Sequence, residues 1–266
     1  MSAPPANGAA PAAYLEGLFG LAGRTAMVTG ASRGLGAAMA TALARAGANV
    51  CCVGRRDNLD RTVRGIEEAG GTARGIVGDL GTEEGLTAIV RAAEAHFGAV
   101  DILVNNAGTF VRKPALSWTR EDWASVVDLS TTTVFGLCQL VAPGMIERGH
   151  GKIINIGSVL SFQGGHTVPG YAASRHAIVG LTRALANEWA PLGVNVNAIA
   201  PGYVDTDILD DLKRDPERSR ALLSRVPVGR WGRPEELAGA VVYLASSASD
   251  FVHGATLIVD GGWSSR

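Results

Sequence analysis

The sequence predicts a doubly wound α/β domain, an open seven-stranded parallel sheet with helices on both faces. Three observations predict it. Short apolar runs alternate with longer amphipathic segments, the runs are apolar nearly throughout, and glycines cluster where the runs end. A strand buried on both faces reads as a continuous Val/Ile/Leu/Ala run, whereas a half-exposed strand alternates with period two. Regular alternation of such strands with helices gives βαβ units with right-handed crossovers.

In chain order, strands are expected at Thr25–Thr29, Asn49–Val53, Ala73–Val77, Ile102–Asn105, Lys152–Ile156, Asn195–Ile199 and Thr256–Val259. The helical patterns between them are Gly36–Ala46, Leu59–Ala69, Glu83–Phe97, Arg120–Arg148, Tyr171–Ala190 and Pro234–Leu244. Asp205–Arg225 is more polar, interrupts the alternation, and reads as a lid over the site. Residues 21–266 read as a single domain. Residues 1–20 read as a loosely attached or disordered tail, because the Ala- and Pro-rich start has neither a basic segment nor a long apolar one.

Composition narrows the function classes. The 266 residues are 47% hydrophobic and 18% charged, with a net charge of −1. A balance so close to neutral carries no footprint for nucleic acid or an anionic membrane. No uncharged apolar stretch is expected to be long enough to cross a bilayer. The three cysteines, Cys51, Cys52 and Cys138, lack metal-ligand spacing, and no metal site is expected. Cys51 and Cys52 read as buried thiols, which fits a reduced, cytoplasmic setting.

The first strand runs straight into Thr29-Gly30-Ala31-Ser32-Arg33-Gly34-Leu35-Gly36, with a helix following. Phosphates favour a helix N-terminus, where free N–H groups and the helix dipole converge. Gly30 permits a tight turn, Gly34 lets the backbone approach a pyrophosphate, and Gly36 lets the helix pack on the strand. The placement directly after the first strand points to a dinucleotide. The second strand ends Val53-Gly54-Arg55-Arg56. An acidic residue there would hold the ribose 2′-hydroxyl of NAD(H); Arg55 and Arg56, with Arg33 nearby, suit a 2′-phosphate instead. The expected cofactor is therefore NADP(H), with NAD(H) as the alternative.

Gly30-x-x-x-Gly34-x-Gly36 departs from the commoner dinucleotide fingerprint. Together with Asn105-Asn106-Ala107-Gly108, Ser158, Tyr171-Ala172-Ala173-Ser174-Arg175, Pro201-Gly202 with Thr206, and Asp260-Gly261-Gly262, it resembles the short-chain dehydrogenase/reductase family over roughly residues 20–263. Within that family, Ser161–Gly165 with Val168-Pro169, Ala186–Ala190 and Gly229–Gly232 look most like 2-deoxy-D-gluconate 3-dehydrogenases and related sugar-acid dehydrogenases. Those enzymes generally resemble NAD users, which runs against the arginines after the second strand.

The resemblance implies a Rossmann-type fold and a ketone–alcohol interconversion. Ser158 matches the family serine that orients the substrate oxygen, and Tyr171 the acid/base. Position 175, one helical turn on, holds Arg175 where the family has lysine. The family asparagine falls at Ser130. Arginine keeps the cation that lowers a tyrosine pKa but cannot release a proton. Ser32 and Leu35 of the glycine turn, Asp79 and Leu80, Asn106, Ala107 and Gly108, and Pro201, Gly202, Val204 and Thr206 are implied to lie along the cofactor, as are Tyr171 and Arg175. Asn105 is expected to brace neighbouring strands. Leu160, Gln163, His166 and Tyr203 are substrate-pocket candidates, and Trp118 could join them. The leading expectation is an NADP(H)-dependent oxidoreductase acting on a small sugar-acid or polyol-like substrate. The altered positions also admit a non-redox enzyme (dehydration, isomerisation or cyclisation) or a non-catalytic binding protein. The family further implies a homodimer or homotetramer through the helices over Arg120–Arg148 and Tyr171–Ala190.

Overall fold

The computed structural model describes residues 11–55, 59–209 and 214–265. Seven parallel strands pair in the order β3-β2-β1-β4-β5-β6-β7. They are β1 (Thr25–Thr29), β2 (Asn49–Gly54), β3 (Thr72–Val77), β4 (Ile102–Asn105), β5 (Gly151–Ile156), β6 (Val194–Pro201) and β7 (Thr256–Val259). Every expected strand forms, with ends shifted by no more than two residues. The five central strands are apolar because they are covered twice: β1, β4, β5 and β6 are buried at every position, and β2 at all but its first. The edge strands differ. β3 carries Arg74 and exposes four of its six residues, and no residue of β7 is fully buried.

Two apolar layers sandwich the sheet. On one face, α2 (Gly34–Arg45), α3 (Leu59–Glu68) and α9 (Ala238–Ala245) bury Met39, Leu43, Ile66, Val241 and Leu244 against Val28, Val50 and Ile154. On the other, α4 (Glu83–Phe97), α6 (Thr133–Glu147) and α7 (Pro169–Trp189) bury Ile89, Leu137, Met145 and Ile178 against Met27, Leu103 and Ile153. Each such aliphatic side chain contributes about 1.5–3 kcal/mol on leaving water. The cysteines sit inside these layers, and burial pushes the thiols of Cys51, Cys52 and Cys138 up to about 12.

Three findings depart from the sequence expectations. Within the stretch read as a tail, Pro11–Phe19 forms a helix, α1, and Ser247 Oγ donates to the carbonyls of Gly17 and Leu18. The single long helix expected over Arg120–Arg148 is α5 (Arg120–Val127), a π-helical turn at Asp128–Thr132, and then α6. This helical run is also long and apolar enough to cross a membrane by length and composition, contrary to expectation. Its apolar residues Val134, Leu137, Cys138, Val141 and Met145 are core residues beneath the sheet.

The fold positions the site through its strand order. The chain winds outward from β1 to β3, then returns across β1 to β4 and winds the other way. The connections leaving β1 and β4 therefore diverge, and a crevice opens between them at the C-terminal ends of the strands.

Candidate active site

One cleft of about 1500 Å³ lies at this crevice. The glycine turn forms its floor. Gly30 and Gly34 have φ of +65° and +55°, conformations that L side chains rarely adopt. Gly36 is required for another reason, since a Cβ there would collide with the Gly30 carbonyl oxygen. α2 starts with Arg33 extended and without a side-chain cap. The first N–H groups of the helix are thereby left to the cleft, which suits a phosphate.

A polar mesh fixes the turn to the loop after β4. Thr29 Oγ1 accepts from the backbone N–H groups of Asn106 and Ala107, both at 3.0 Å. Asn106 Nδ2 returns to the carbonyls of Thr29 and Gly30 at 2.9 and 3.2 Å. Thr29 was not singled out by sequence reasoning; its signal was a hydroxyl as the last strand residue before the glycine turn. Behind the mesh, Asn105 Nδ2 donates to Asn155 Oδ1 at 2.9 Å, the expected strand brace.

Ser32, Leu35, Arg55, Asp79, Leu80, Gly108, Pro201, Gly202, Val204 and Thr206 all face the same cleft, as do the three turn glycines, Asn106 and Ala107. Asp79 Oδ1 accepts from Gly81 N, and the Leu80 carbonyl accepts from Thr133 Oγ1, so both residues are held in place. Arg55 is exposed at the end of β2. Arg56 lies outside the described residues. Arg33 also faces the cleft, and its Nη1 contacts Asp207 Oδ2 at 2.5 Å, linking the glycine turn to the segment that follows β6.

Beyond the dinucleotide-shaped floor stand the candidate catalytic groups. Ser158 follows β5 and Tyr171 opens α7 behind Pro169 at the first helical position. Ser158 Oγ accepts from Leu160 N at 3.1 Å, which leaves its proton free to be donated. Ser161, not foreseen, ties this loop to the helix: its Oγ accepts from Ser158 N at 3.2 Å and donates to the Arg175 carbonyl at 2.7 Å. Arg175 lies one turn beyond Tyr171, and its guanidinium carbon is 4.7 Å from the Tyr171 ring centre. Its Nη1 donates to the Ile156 carbonyl at 2.7 Å. Tyr171 is also packed edge-on by Phe110, with ring centres 6.2 Å apart. Ser130, in the π-helical turn, is fully buried and stands behind the cleft wall; its neighbours Asp128 and Leu129 reach the cleft.

Leu160, Gln163, His166 and Tyr203 line the far end. Trp118 does not: its indole N–H donates to the Lys113 carbonyl, and its ring packs against Gly170. The segment Asp205–Arg225, expected as a lid, contains α8 (Pro216–Leu223) and brings Arg218 and Arg225 to the cleft, which Arg112 also lines. Arg225 lies over Trp263 at 4.2 Å, and Trp263 meets Tyr203 edge-on at 4.8 Å. Burial raises the Tyr203 pKa, while Arg225, Arg112 and Arg218 pull it the other way. None of these arginines, nor Trp263, carried a sequence signal: Arg112 follows β4, Arg218 and Arg225 lie between β6 and β7, Trp263 follows β7, and only the fold brings them to one cleft. Among the described residues no cluster of His, Cys, Asp or Glu could hold a metal ion.

A glycine-built phosphate floor beside a serine, a tyrosine and a cation on one helix defines a nucleotide-dependent dehydrogenase class. Comparison with known proteins makes this specific: a family model described as enoyl-(acyl carrier protein) reductase matches residues 30–264. The chain belongs to the short-chain dehydrogenase/reductase family. It is 47% identical to the 2-dehydro-3-deoxy-D-gluconate 5-dehydrogenase of Dickeya dadantii, over 93% of this chain and 98% of that one. Among solved structures, a gluconate 5-dehydrogenase of Burkholderia cenocepacia in complex with NADP and tartrate is 41% identical, with a TM-score of 0.89 over 95% of this chain and 99% of that one. A candidate 2-deoxy-D-gluconate 3-dehydrogenase of Agrobacterium tumefaciens with bound NADP is 46% identical, with a TM-score of 0.87 over 93% and 99% of the two chains.

Proposed function

We propose that this chain is an NADP(H)-dependent oxidoreductase that interconverts a ketone and a secondary alcohol on a small sugar acid. The observation that carries the sugar-acid reading is the cationic far end of the cleft, where Arg112, Arg218 and Arg225 surround Tyr203. Guanidinium groups recognise carboxylates through paired, charge-assisted hydrogen bonds. The relatives named for gluconate and deoxygluconate chemistry support the same substrate class.

The residues present fit the cofactor. The positive-φ glycines leave room for a pyrophosphate at the uncapped end of α2, and the bare Gly36 lets that helix close on the turn. Arg33 and Arg55 would take the 2′-phosphate, and Gly54 leaves no acid at the strand end to oppose it. NAD(H) binding stays open on the same ground, because nothing at Gly54 rejects it. The nicotinamide, when bound, supplies or accepts the hydride. Ser158 Oγ donates to the substrate oxygen while Tyr171 gives it a proton during reduction and takes one during oxidation. The Arg175 guanidinium beneath the Tyr171 ring holds that ring in position at the cleft. Ser161 and Pro169 hold the two catalytic hydroxyls in register.

Buried thiols fit a reduced, cytoplasmic setting. A homodimer or homotetramer would cover Phe135 and Leu140, apolar side chains left exposed on α6. The non-redox and non-catalytic readings raised by the sequence gain nothing from relatives named as dehydrogenases.

The test is turnover of sugar acids with NADPH or NADP⁺, followed by cofactor absorbance, against neutral polyols of equal length. Sugar acids are expected to be preferred, and Tyr171→Phe to lower kcat by about 100- to 10,000-fold with cofactor binding retained. Preference for the neutral polyols, or full activity in Tyr171→Phe, would overturn the reading.

A further inference from the structure

The two positions that depart from the family pattern meet in space beside Gly108. A Cβ on Gly108 would lie 2.6 Å from Arg175 Nη2 and 3.5 Å from Ser130 Oγ. A bare Cα and a short serine thus border the volume into which the guanidinium extends. Arg175 is fixed there, by Nη1 on the Ile156 carbonyl and by its own carbonyl on Ser161. Ser130 is fully buried and Arg175 is 6% exposed. Ser130 Oγ and Arg175 Nε are buried without a protein partner.

An asparagine at 130 would add an amide to this crowded volume, and a lysine at 175 would end in a compact ammonium without the planar fork. We propose that Ser130 and Arg175 are a matched pair: the serine supplies the space for the guanidinium, and the guanidinium is a fixed, non-titrating charge that positions Tyr171 without relaying its proton. In reduction the Tyr171 O–H bond breaks as its proton passes to the substrate oxygen. The tyrosinate regains a proton from water at the open cleft, and Arg175 keeps all of its own. In oxidation the same proton returns from the alcohol to Tyr171 and leaves to water. This functional half rests on Tyr171 as the acid/base; the pairing does not.

The pairing is tested on the cofactor-free protein by thermal unfolding of Ser130→Asn, Arg175→Lys and the double variant. Overpacking of a dense core makes Ser130→Asn lower Tm by about 3 °C or more. In the Arg175→Lys background the same substitution should lower Tm by less than half as much. Gly108→Ala, which presses on the same Nη2, should show the same dependence on Arg175 and serves where Ser130→Asn does not fold. Additive shifts would overturn the pairing, whatever the substrate proves to be. The fixed charge is tested by pH. The rate of alcohol oxidation by the native protein should rise through one ionisation to an alkaline plateau. The double variant should decline again as its lysine deprotonates near the ordinary value of about 10.4. Cofactor affinity over the same range reports on a variant that does not turn over. Identical alkaline limbs in the two proteins would overturn the fixed charge.

Discussion

The two ends of the cleft are built from different materials. At the cofactor end, backbone and short side chains do the work: positive-φ glycines, the Thr29 hydroxyl, the Asn106 amide, all tied to central strands buried on both faces. At the far end stand long cationic side chains: Arg218 on α8, no residue of which is buried, Arg225 just beyond that helix, and Arg112 from the loop after β4. The first construction fixes distances and leaves nothing to adjust. The second supplies charge on long side chains. A shared cofactor calls for the former, and a particular substrate for the latter.

The largest effect should come from breaking the rigid end. In Gly36→Ala the new methyl would strike the Gly30 carbonyl, which is backbone and cannot swing aside. We expect NADPH affinity to fall by more than about 10-fold, since overpacking costs about 1–3 kcal/mol and here displaces the phosphate floor itself. Fluorescence titration measures it. Native affinity in that variant would show the turn to be as adaptable as the lid, and the contrast would collapse.

A smaller and more selective effect should come from the lid. Arg225→Met keeps a flexible apolar contact with Trp263 but removes the charge. The KM for a sugar acid should rise about 10-fold, the size of one lost charge-assisted hydrogen bond, with kcat changed by less than about twofold. A neutral polyol should be indifferent. An equal loss for acid and polyol would mean that Arg225 holds the lid together instead of reading the carboxylate.

This contrast also explains what could be read from the sequence. The sheet was legible because burial on both faces leaves a continuous apolar signature, and the cofactor floor because glycines at fixed spacing have a steric cause. Ser158, Tyr171 and Arg175 were legible only through resemblance, since nothing in their local pattern separates a catalytic tyrosine from a packed one. Thr29 and Ser161 were missed because their hydroxyls act on backbone 77 and 14 residues away. Trp118 was misplaced because an aromatic near the site and an aromatic propping α7 look alike in sequence. The π-helical turn was hidden too: one extra residue per turn leaves the apolar pattern of α5 and α6 almost unbroken while it turns Ser130 inward. Arg218 and Arg225 gave no signal at all, because they reach the cleft through the tertiary fold and not by spacing.

The smallest effect is expected where the two ends touch. Arg33 from the glycine turn is paired with Asp207 from the lid, and both side chains are mostly exposed, at 68% and 61%. Exposed pairs are worth about 0–1 kcal/mol, so a 2′-phosphate that claims Arg33 displaces Asp207 at little cost. Asp207→Asn frees the guanidinium in advance. NADPH should then bind up to about fivefold more tightly at low salt, the equivalent of about 1 kcal/mol. NADH has no 2′-phosphate and should bind as before. At 1 M salt, where the screening length is about 3 Å, the gain should disappear. If NADH gained as much as NADPH, Asp207 would be closing the lid over both cofactors and not competing for Arg33. The adjustable end would then govern the rigid one.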